Sequence, residues 1–486
     1  MGIEIEDKFD VPADYVLPDL GGLGETAGPK SYQLVALYYD TDDLRLARRG
    51  ATLRRRRGGA DPGWHLKLPK VKGGRQEIVF PLTRSTKVVP QELADLVLGF
   101  TRGAPLRVVA QLETKRTVVR LGDLVEVADD RVKATSLLGA PAVQRWREVE
   151  AELLNGDDKL LAKVGKRLKK AGAVPASSSS KLARLLDPPP VPRAEVAAGS
   201  AGEVVMDYLA GQVSALLGQD PRVRRAEEDA VHQMRVATRR LRSALKAFKP
   251  VVAGTREIQD ELKWLAGVLG EARDLEVIRA RFARRLEDLA PELVVGPIRA
   301  RLGDDMYRRE REAYGRIRET LGGERYFALL DALDALIAEP RLTEAAAQDA
   351  KTLVGVAGKS WARVTRAYDA AQAIEDPERR EIAMHEVRKS AKRARYTAEA
   401  LRPALGAKMG RLARHAEAVQ EVLGAHMDGV IAQETLAKEA EAARQAGEDT
   451  FTYGLLIGVE RGAAERAHAE FPEVWARTRK AVGKLL

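Results

Sequence analysis

Four prolines within the six residues Asp187–Pro192 divide this chain of 486 residues into two parts of different texture. Prolines this dense give no N–H donors and clash with a continuing helix, so no core element spans them. Small residues follow as far as Gly202. The stretch 188–202 reads as a linker, partly extended polyproline II. The length also exceeds what one ordinary core holds. The expected domains are therefore 1–187 and 203–486.

Gly and Pro punctuate the first part, and short alternating runs lie between them. Ile3–Phe9, Thr52–Arg57, Trp64–Leu68, Glu77–Leu82, Val108–Val119, Leu124–Val127 and Glu148–Leu153 read as strands. Helices are expected at Gln91–Leu98 and Asp157–Ala171. On the first strand Glu4, Glu6 and Lys8 share a face opposite Ile3, Ile5 and Phe9. Arg54 with Arg56, His65 with Lys67, Arg75 with Glu77, Glu126 with Asp130, and Glu148 with Glu150 and Glu152 repeat the pattern. A polar sheet face ordinarily meets water. Here both signs of charge recur on it, strand after strand, and closing the sheet into a barrel would turn that face into a charged lumen.

Such a lumen has a definite chemistry. The chain has no cysteine, so thiolate metal sites and disulfides are excluded. Carboxylates alone suit a hard cation such as Mg²⁺ or Mn²⁺. Arg and Lys suit phosphate oxygens. Metal, cationic cradle and restricted water together are what phosphoryl transfer to water requires. There is no G-x-x-x-x-G-K-[ST] loop, which argues against a P-loop mechanism, and no Ser/His/Asp arrangement suggests itself.

After about Glu203 the apolar residues fall at helical spacing throughout, which predicts an all-α bundle of eight or more helices. This part is duplicated. Val231-His232-Gln233-Met234-Arg235 recurs as Met384-His385-Glu386-Val387-Arg388, and Val268-Leu269-Gly270 with Asp274 recurs as Val422-Leu423-Gly424 with Asp428. The offsets are 153 and 154 residues, so two halves are expected, about 203–345 and 346–486.

The full chain carries a formal charge of +10, yet the region after residue 190 holds 49 Lys and Arg against 46 Asp and Glu. Positive charge there is segregated. His232, Arg235, Arg239, Arg242 and Lys246 lie on one helix face. His385, Arg388, Lys392 and Arg395 repeat the stripe, flanked by Lys389, Arg393 and Tyr396. One stripe would read as a solvated face. Two matching stripes in a duplicated unit suit a linear polyanion in a shared cleft. Only Tyr396 could stack a base, which argues against nucleic acid. No run of about 18 apolar residues is present and Met1–Asp10 has no apolar core, so neither a membrane span nor a secretory signal is expected. A cytoplasmic location fits.

Glu4-Ile5-Glu6-Asp7-Lys8 resembles the E-x-E-x-K signature of the CYTH superfamily, the triphosphate tunnel metalloenzymes. The supporting pieces follow in that family's order: Tyr38-Tyr39-Asp40-Thr41, Leu53-Arg54-Arg55-Arg56, Lys67, Arg75 with Glu77, Lys115-Arg116, Glu126 with Asp130, Glu148/Glu150/Glu152, and Ser180-Lys181. The helical part resembles the CHAD domain, and the two domains in this order form a recurrent architecture. The resemblance implies an α+β multidomain chain: an eight-stranded antiparallel β tunnel with flanking helices, then an all-α duplicated bundle. It implies Glu4, Glu6, Glu150 and Glu152 as ligands of Mg²⁺ or Mn²⁺. Lys8, Arg54, Arg56, Lys67, Arg75, Lys115, Arg116 and Lys181 would hold phosphates. Lys8, Asp130 and Glu148 complete the expected catalytic set, with a general base on the Glu148–Glu152 strand. Inorganic triphosphate is the expected substrate, and long-chain polyphosphate the expected ligand of both basic helices. The alternatives are a non-catalytic polyphosphate scaffold or sensor, or a hydrolase of thiamine triphosphate or a nucleotide. Arg55 and Arg57 leave the register around Arg54 open by one residue.

Overall fold

The computed structural model describes the backbone of residues 2–69, 75–86 and 88–485, and their side chains except at residues 2–4 and 75. The chain divides into two compact units, Met1–Val191 and Pro192–Leu486.

In the first unit the strands are β1 (Gly2–Val11), β2 (Lys30–Asp40), β3 (Thr52–Arg57), β4 (Gly63–Lys67), β5 (Arg75–Phe80), β6 (Arg107–Leu121), β7 (Val125–Ser136), β8 (Ala142–Leu153) and the two-residue β9 (Val174–Pro175). Neighbours run β5-β4-β3-β2-β6-β7-β8-β1, and β5 pairs back onto β1, which closes eight strands into a ring. β9 adds at the edge of β1. All pairings are antiparallel.

The apolar stripe of each strand faces out, beneath helices. Leu53, Trp64, Leu66 and Ile78 pack with Leu93, Leu96 and Phe100 from α1 (Gln91–Leu96) and α2 (Leu98–Thr101). Phe9, Val127, Val149 and Ala151 pack with Leu161, Val164 and Leu168 of α3 (Asp158–Lys170). Burial is thus satisfied on the outer wall, and the charged stripe is left for the lumen. A short helix, α4 (Lys181–Leu186), closes one end: its Leu182 and Leu185 pack among Ala36, Tyr38, Leu112 and Ala134.

The register at β3 is fixed by its partners. Tyr38 pairs with Arg54 and Ala36 with Arg56, and both arginines face in. Arg55 faces out and donates to the Thr83 carbonyl at 2.9 Å. The following turn needs glycine at position 58, where φ is +80° and a Cβ would lie 2.0 Å from the Gln33 carbonyl oxygen. β2 is a strand that the sequence pattern does not reveal, because Leu34 and Ala36 on one face alternate with Val35 and Leu37 on the other. The two faces are nearly equally apolar.

The second unit contains nine α-helices among the described residues: α5 (Ala201–Arg224), α6 (Ala230–Ala247), α7 (Arg256–Glu287), α8 (Met306–Leu321), α9 (Glu324–Ala338), α10 (Val354–Gln372), α11 (Pro377–Leu405), α12 (Ala407–Gln445) and α13 (Phe451–Gly483). Residues 192–200 belong to this unit. Ala194 N–H donates to the Ile337 carbonyl at 3.0 Å, and Ser200 caps α5 by accepting from Glu203 N–H. α5 runs through Gly218 and Pro221 to Arg224. Pro221 sits in its last turn, where only one helical bond is lost. Among the described residues no helix is long and apolar enough to cross a membrane.

Candidate functional site in the tunnel and on the basic helices

The lumen is a cavity of about 550 Å³. Lys8, Lys30, Arg54, Arg56, Lys67, Arg116, Arg120 and Lys181 line it, against Asp61, Glu77, Glu126, Glu150 and Glu152. With Glu6, Asp130 and Glu148, which contact these cations, the two signs of charge balance among the described residues. The mouth lies toward Gly28, Lys30, Ala60 and Leu154, at the end away from α4.

Strand register sorts the charged residues into layers. Nearest the mouth, Glu6, Glu152 and Glu126 lie side by side on β1, β8 and β7. Like charges placed opposite each other destabilise a sheet unless a cation joins them. In the next layer Lys8 pairs with Glu150. Deepest are Glu148, Asp130 and Arg116, adjacent on β8, β7 and β6.

Glu150 joins the second layer to the third. Its Oε1 accepts from Lys8 Nζ at 2.8 Å and from Lys181 Nζ at 2.8 Å, and its Oε2 accepts from Arg116 at 2.7 Å. Burial pushes this carboxyl up, but Lys181, Lys8 and Arg116 hold it well below the usual carboxylate range. Lys8 also reaches Glu6 at 3.2 Å. Arg116 makes a two-pronged bond to Asp130, at 2.8 and 2.6 Å. Asp130, Glu148 and Glu150 bring oxygens within 4.8 Å of one another, a spacing that could hold a metal ion. The ammonium of Lys181 fills that position, 3.0, 2.6 and 2.8 Å from the three carboxylates. Glu148 accepts additionally from Trp146 Nε1. The mouth layer is carboxylate as well, and there Glu126 accepts from Arg120 at 2.7 Å.

On the opposite wall Arg54 lies 3.5 Å from the Tyr38 hydroxyl. Burial opposes ionisation of that phenol, but Arg54 draws its pKa below the ordinary value. Both ring nitrogens of His65 face oxygens: Glu77 at 2.9 Å and the Asp61 carbonyl at 3.1 Å. Burial raises the Glu77 carboxyl, while His65, Lys67 and Arg54 together bring it down to about 2. Arg56 pairs with Asp61.

Of the residues expected from the sequence, the lumen wall brings together Lys8, Arg54, Arg56, Lys67, Arg116, Lys181, Glu150 and Glu152. Glu6, Asp130 and Glu148 join through the contacts above. The backbones of Glu4 and Arg75 are partners across β1 and β5, and their side chains lie outside the described residues. Lys115 is a correction. Strand alternation turns it outward and exposed, because its neighbour Arg116 points in.

In the helical unit the two basic stripes meet, since α6 packs on α11. Lys392 is half-buried, and its pKa is pushed down to about 7 by burial and by Arg239, Arg388 and Arg235. Burial and the same crowding lower Arg239. Among the described residues, Arg239, Arg242, Lys246 and Lys392 have no acidic partner. Each half repeats one device: Arg235 lies against Gly270 and pairs with Asp274 at 2.8 Å, while Arg388 lies against Gly424 and reaches Asp428 at 3.9 Å. His232 and His385 head the two stripes, and burial and neighbouring cations lower both imidazoles. Arg393 donates to Ser390, and Lys389 pairs with Glu386 on the surface. Arg395 and Tyr396 depart from the expected stripe. Arg395 is held by Glu399 and Glu417, and Tyr396 is buried beneath Arg240.

The CYTH domain model matches residues 2–186 and the CHAD domain model residues 207–437. Over 509 aligned positions the chain is 41% identical to the uncharacterized protein Rv2226 of Mycobacterium tuberculosis H37Rv, covering 99% of this chain and 97% of that one. This chain belongs to the CYTH–CHAD family. Among solved structures, PptA from Streptomyces chartreusis (TM-score 0.48, 23% identity) covers 57% of this chain and 99% of its own. The CHAD domain from the plant Ricinus communis (TM-score 0.48, 23% identity) covers 59% and 94%. PH1819 from Pyrococcus horikoshii (TM-score 0.27, 19% identity) covers 38% and 98%.

The first unit is thus a triphosphate-tunnel protein of the CYTH type, and both domain types point to phosphate ligands. Lys30, Asp61 and Arg120 on the wall are named nowhere in the sequence reading, and Glu126, which shares the parity of Asp130 there, has no role in it. Tyr38 and Lys30 sit on the strand whose alternation is masked.

Lys181→Met should test the buried network. It leaves three buried carboxylates without their shared cation, at an expected cost of about 3–5 kcal/mol near neutral pH. The carboxyls of Asp130 and Glu150 have folded pKa values below their unfolded ones. Their stabilisation is therefore full above about pH 4–5 and fades as pH falls. Urea unfolding of the CYTH unit should show the variant's deficit narrowing below about pH 4. A deficit that stays constant down to pH 2 would contradict this network.

Proposed function

We propose that the CYTH unit hydrolyses inorganic triphosphate to pyrophosphate and phosphate with Mg²⁺ or Mn²⁺, and that the CHAD unit binds long-chain polyphosphate. The observation carrying the first half is the ring of buried and half-buried cations, Lys8, Arg54, Arg56, Lys67, Arg116 and Lys181, around one closed lumen. Lys8, Arg54, Arg56, Lys67 and Arg116, with Arg75, would grip phosphate oxygens as charge-assisted donors. Asp130 and Glu148 act as positioning residues, holding Arg116 and Lys181 aimed inward. The donor set near the mouth is all carboxylate, which fits a hard divalent cation. Glu6 and Glu152, with Glu4 and Glu126, would hold it. Glu150 would join when the anion takes over Lys8 and Arg116. When bound, the metal neutralises charge on the phosphate oxygens and lowers the cost of attack by water.

Closure of one end by Leu182 and Leu185 favours an anion that enters by its terminus. The lumen therefore suits a short triphosphate or the tip of a longer chain. Phosphate release from tripolyphosphate by the full-length protein should need Mg²⁺ or Mn²⁺ and stop with EDTA. Arg54→Ala and Glu6→Ala should each cost about 10²–10³ in kcat. Release at the wild-type rate from either variant would overturn this reading.

For the CHAD unit, the cations of α6 and α11 that lack acidic partners are the support. A bound polyanion would raise the pKa of Lys392 from its low value, so binding at pH 7–8 should take up a proton. Calorimetry in buffers of different ionisation enthalpy should detect this uptake in the wild type and lose it in Lys392→Met. Polyphosphate binding with no proton uptake in the wild type would remove Lys392 from the contact.

A further inference from the structure

A second cluster of donor atoms lies in the helical unit, built from three helices of the second repeat. Glu381 on α11, His426 on α12 and His468 on α13 each offer one ligand atom, all within 4.8 Å of one another. The sequence stripes do not include any of the three. His426 is fixed by its surroundings. Its Nδ1 donates to the Ala464 carbonyl at 3.1 Å and its Nε2 donates to Glu381 at 2.5 Å, so a metal would take the place of the Nε2 proton. A histidine whose second nitrogen is tied to a backbone carbonyl is the usual arrangement for a metal ligand, because the bond sets tautomer and ring orientation.

The close approach of α12 and α13 makes that bond possible. A Cβ on Gly429 would lie 2.9 Å from the Ala464 Cβ, so glycine is what allows the Ala464 carbonyl to come near. Ala464 and His468 are one helical turn apart. The carbonyl that orients His426 therefore sits directly beneath the second imidazole, and the two rings lie 5.3 Å apart.

The contrast with the tunnel is chemical. There, Lys181 sits among the clustered carboxylates. Here, among the described residues, no Lys or Arg pairs with Glu381, and its one partner is His426. We propose that Glu381, His426 and His468 form a transition-metal site of the Zn²⁺ class, pinning α11, α12 and α13 together. Two imidazoles and a carboxylate are a borderline-soft set that selects Zn²⁺, Co²⁺ or Ni²⁺ over Mg²⁺. Tetrahedral ligands at about 2.0–2.1 Å from zinc stand about 3.3 Å apart, which rotation of the exposed His468 side chain can reach. With three protein ligands, a fourth position stays open beside His468.

The test uses the full chain with Zn²⁺ against a chromophoric chelator, in excess Mg²⁺ to occupy oxygen-only sites. Wild type should take up one tight equivalent more than His468→Ala, a substitution on the surface that leaves the core intact. Glu381→Gln should weaken that equivalent at least tenfold, and His415→Ala, which alters a histidine outside the triad, should keep it. Co²⁺ in place of Zn²⁺ should give tetrahedral visible bands in wild type and not in His468→Ala. Equal uptake and equal spectra in wild type and His468→Ala would leave only a His426–Glu381 ion pair and overturn the proposal.

Discussion

The three-cation contact of Glu150 is the point on which the tunnel's structure turns. A buried carboxylate with one partner would scarcely repay its desolvation. With Lys8, Lys181 and Arg116 on its two oxygens, it becomes the anchor of the lumen. Lys181 arrives from α4, Arg116 from β6 and Lys8 from β1, so one acidic side chain ties the β6–β7–β8–β1 wall to the plug. The remaining cations have fewer acidic partners. An incoming phosphate finds donors already aimed and already desolvated, and need not spend binding energy on ordering them.

This arrangement explains why the barrel carries its apolar face outward. Cores on the outer wall, under α1, α2 and α3, bury the apolar faces of the strands. The interior is then free to be polar. In the CHAD unit the same separation appears in helical form. A continuous apolar core runs through both repeats, and the cations that this core excludes collect where α6 meets α11. Arg235 and Arg388 lean on Gly270 and Gly424, which is why those glycines recur with the arginines in the sequence.

Much of this was legible from alternation alone. Glu6, Lys8, Arg54, Arg56, Glu150 and Glu152 share the parity of their strands, and parity is what a barrel converts into a lumen. Four things were hidden. The open register at Arg54 to Arg57 depends on β2, whose two faces are both apolar, so only the pairing of Tyr38 with Arg54 decides it. Lys115 seemed equivalent to Arg116 as part of a dibasic pair, and one strand position separates inside from outside. The work of Asp130 and Glu148 depends on Lys181, which comes from a helix 31 residues beyond Glu150, and no local pattern links them. Arg395 and Tyr396 likewise kept the helical spacing of the stripe while Glu417 of α12 and the core claimed them.

The central claim is that the lumen is a triphosphate site built in advance of its ligand. A crystal structure of the full-length protein with imidotriphosphate and Mg²⁺ tests it most directly. The account predicts the anion inside the barrel, with oxygens on Lys8, Arg54, Arg56 and Arg116, and the metal among the carboxylates near Glu6 and Glu152. An empty lumen, with the anion bound only along α6 and α11, would contradict it.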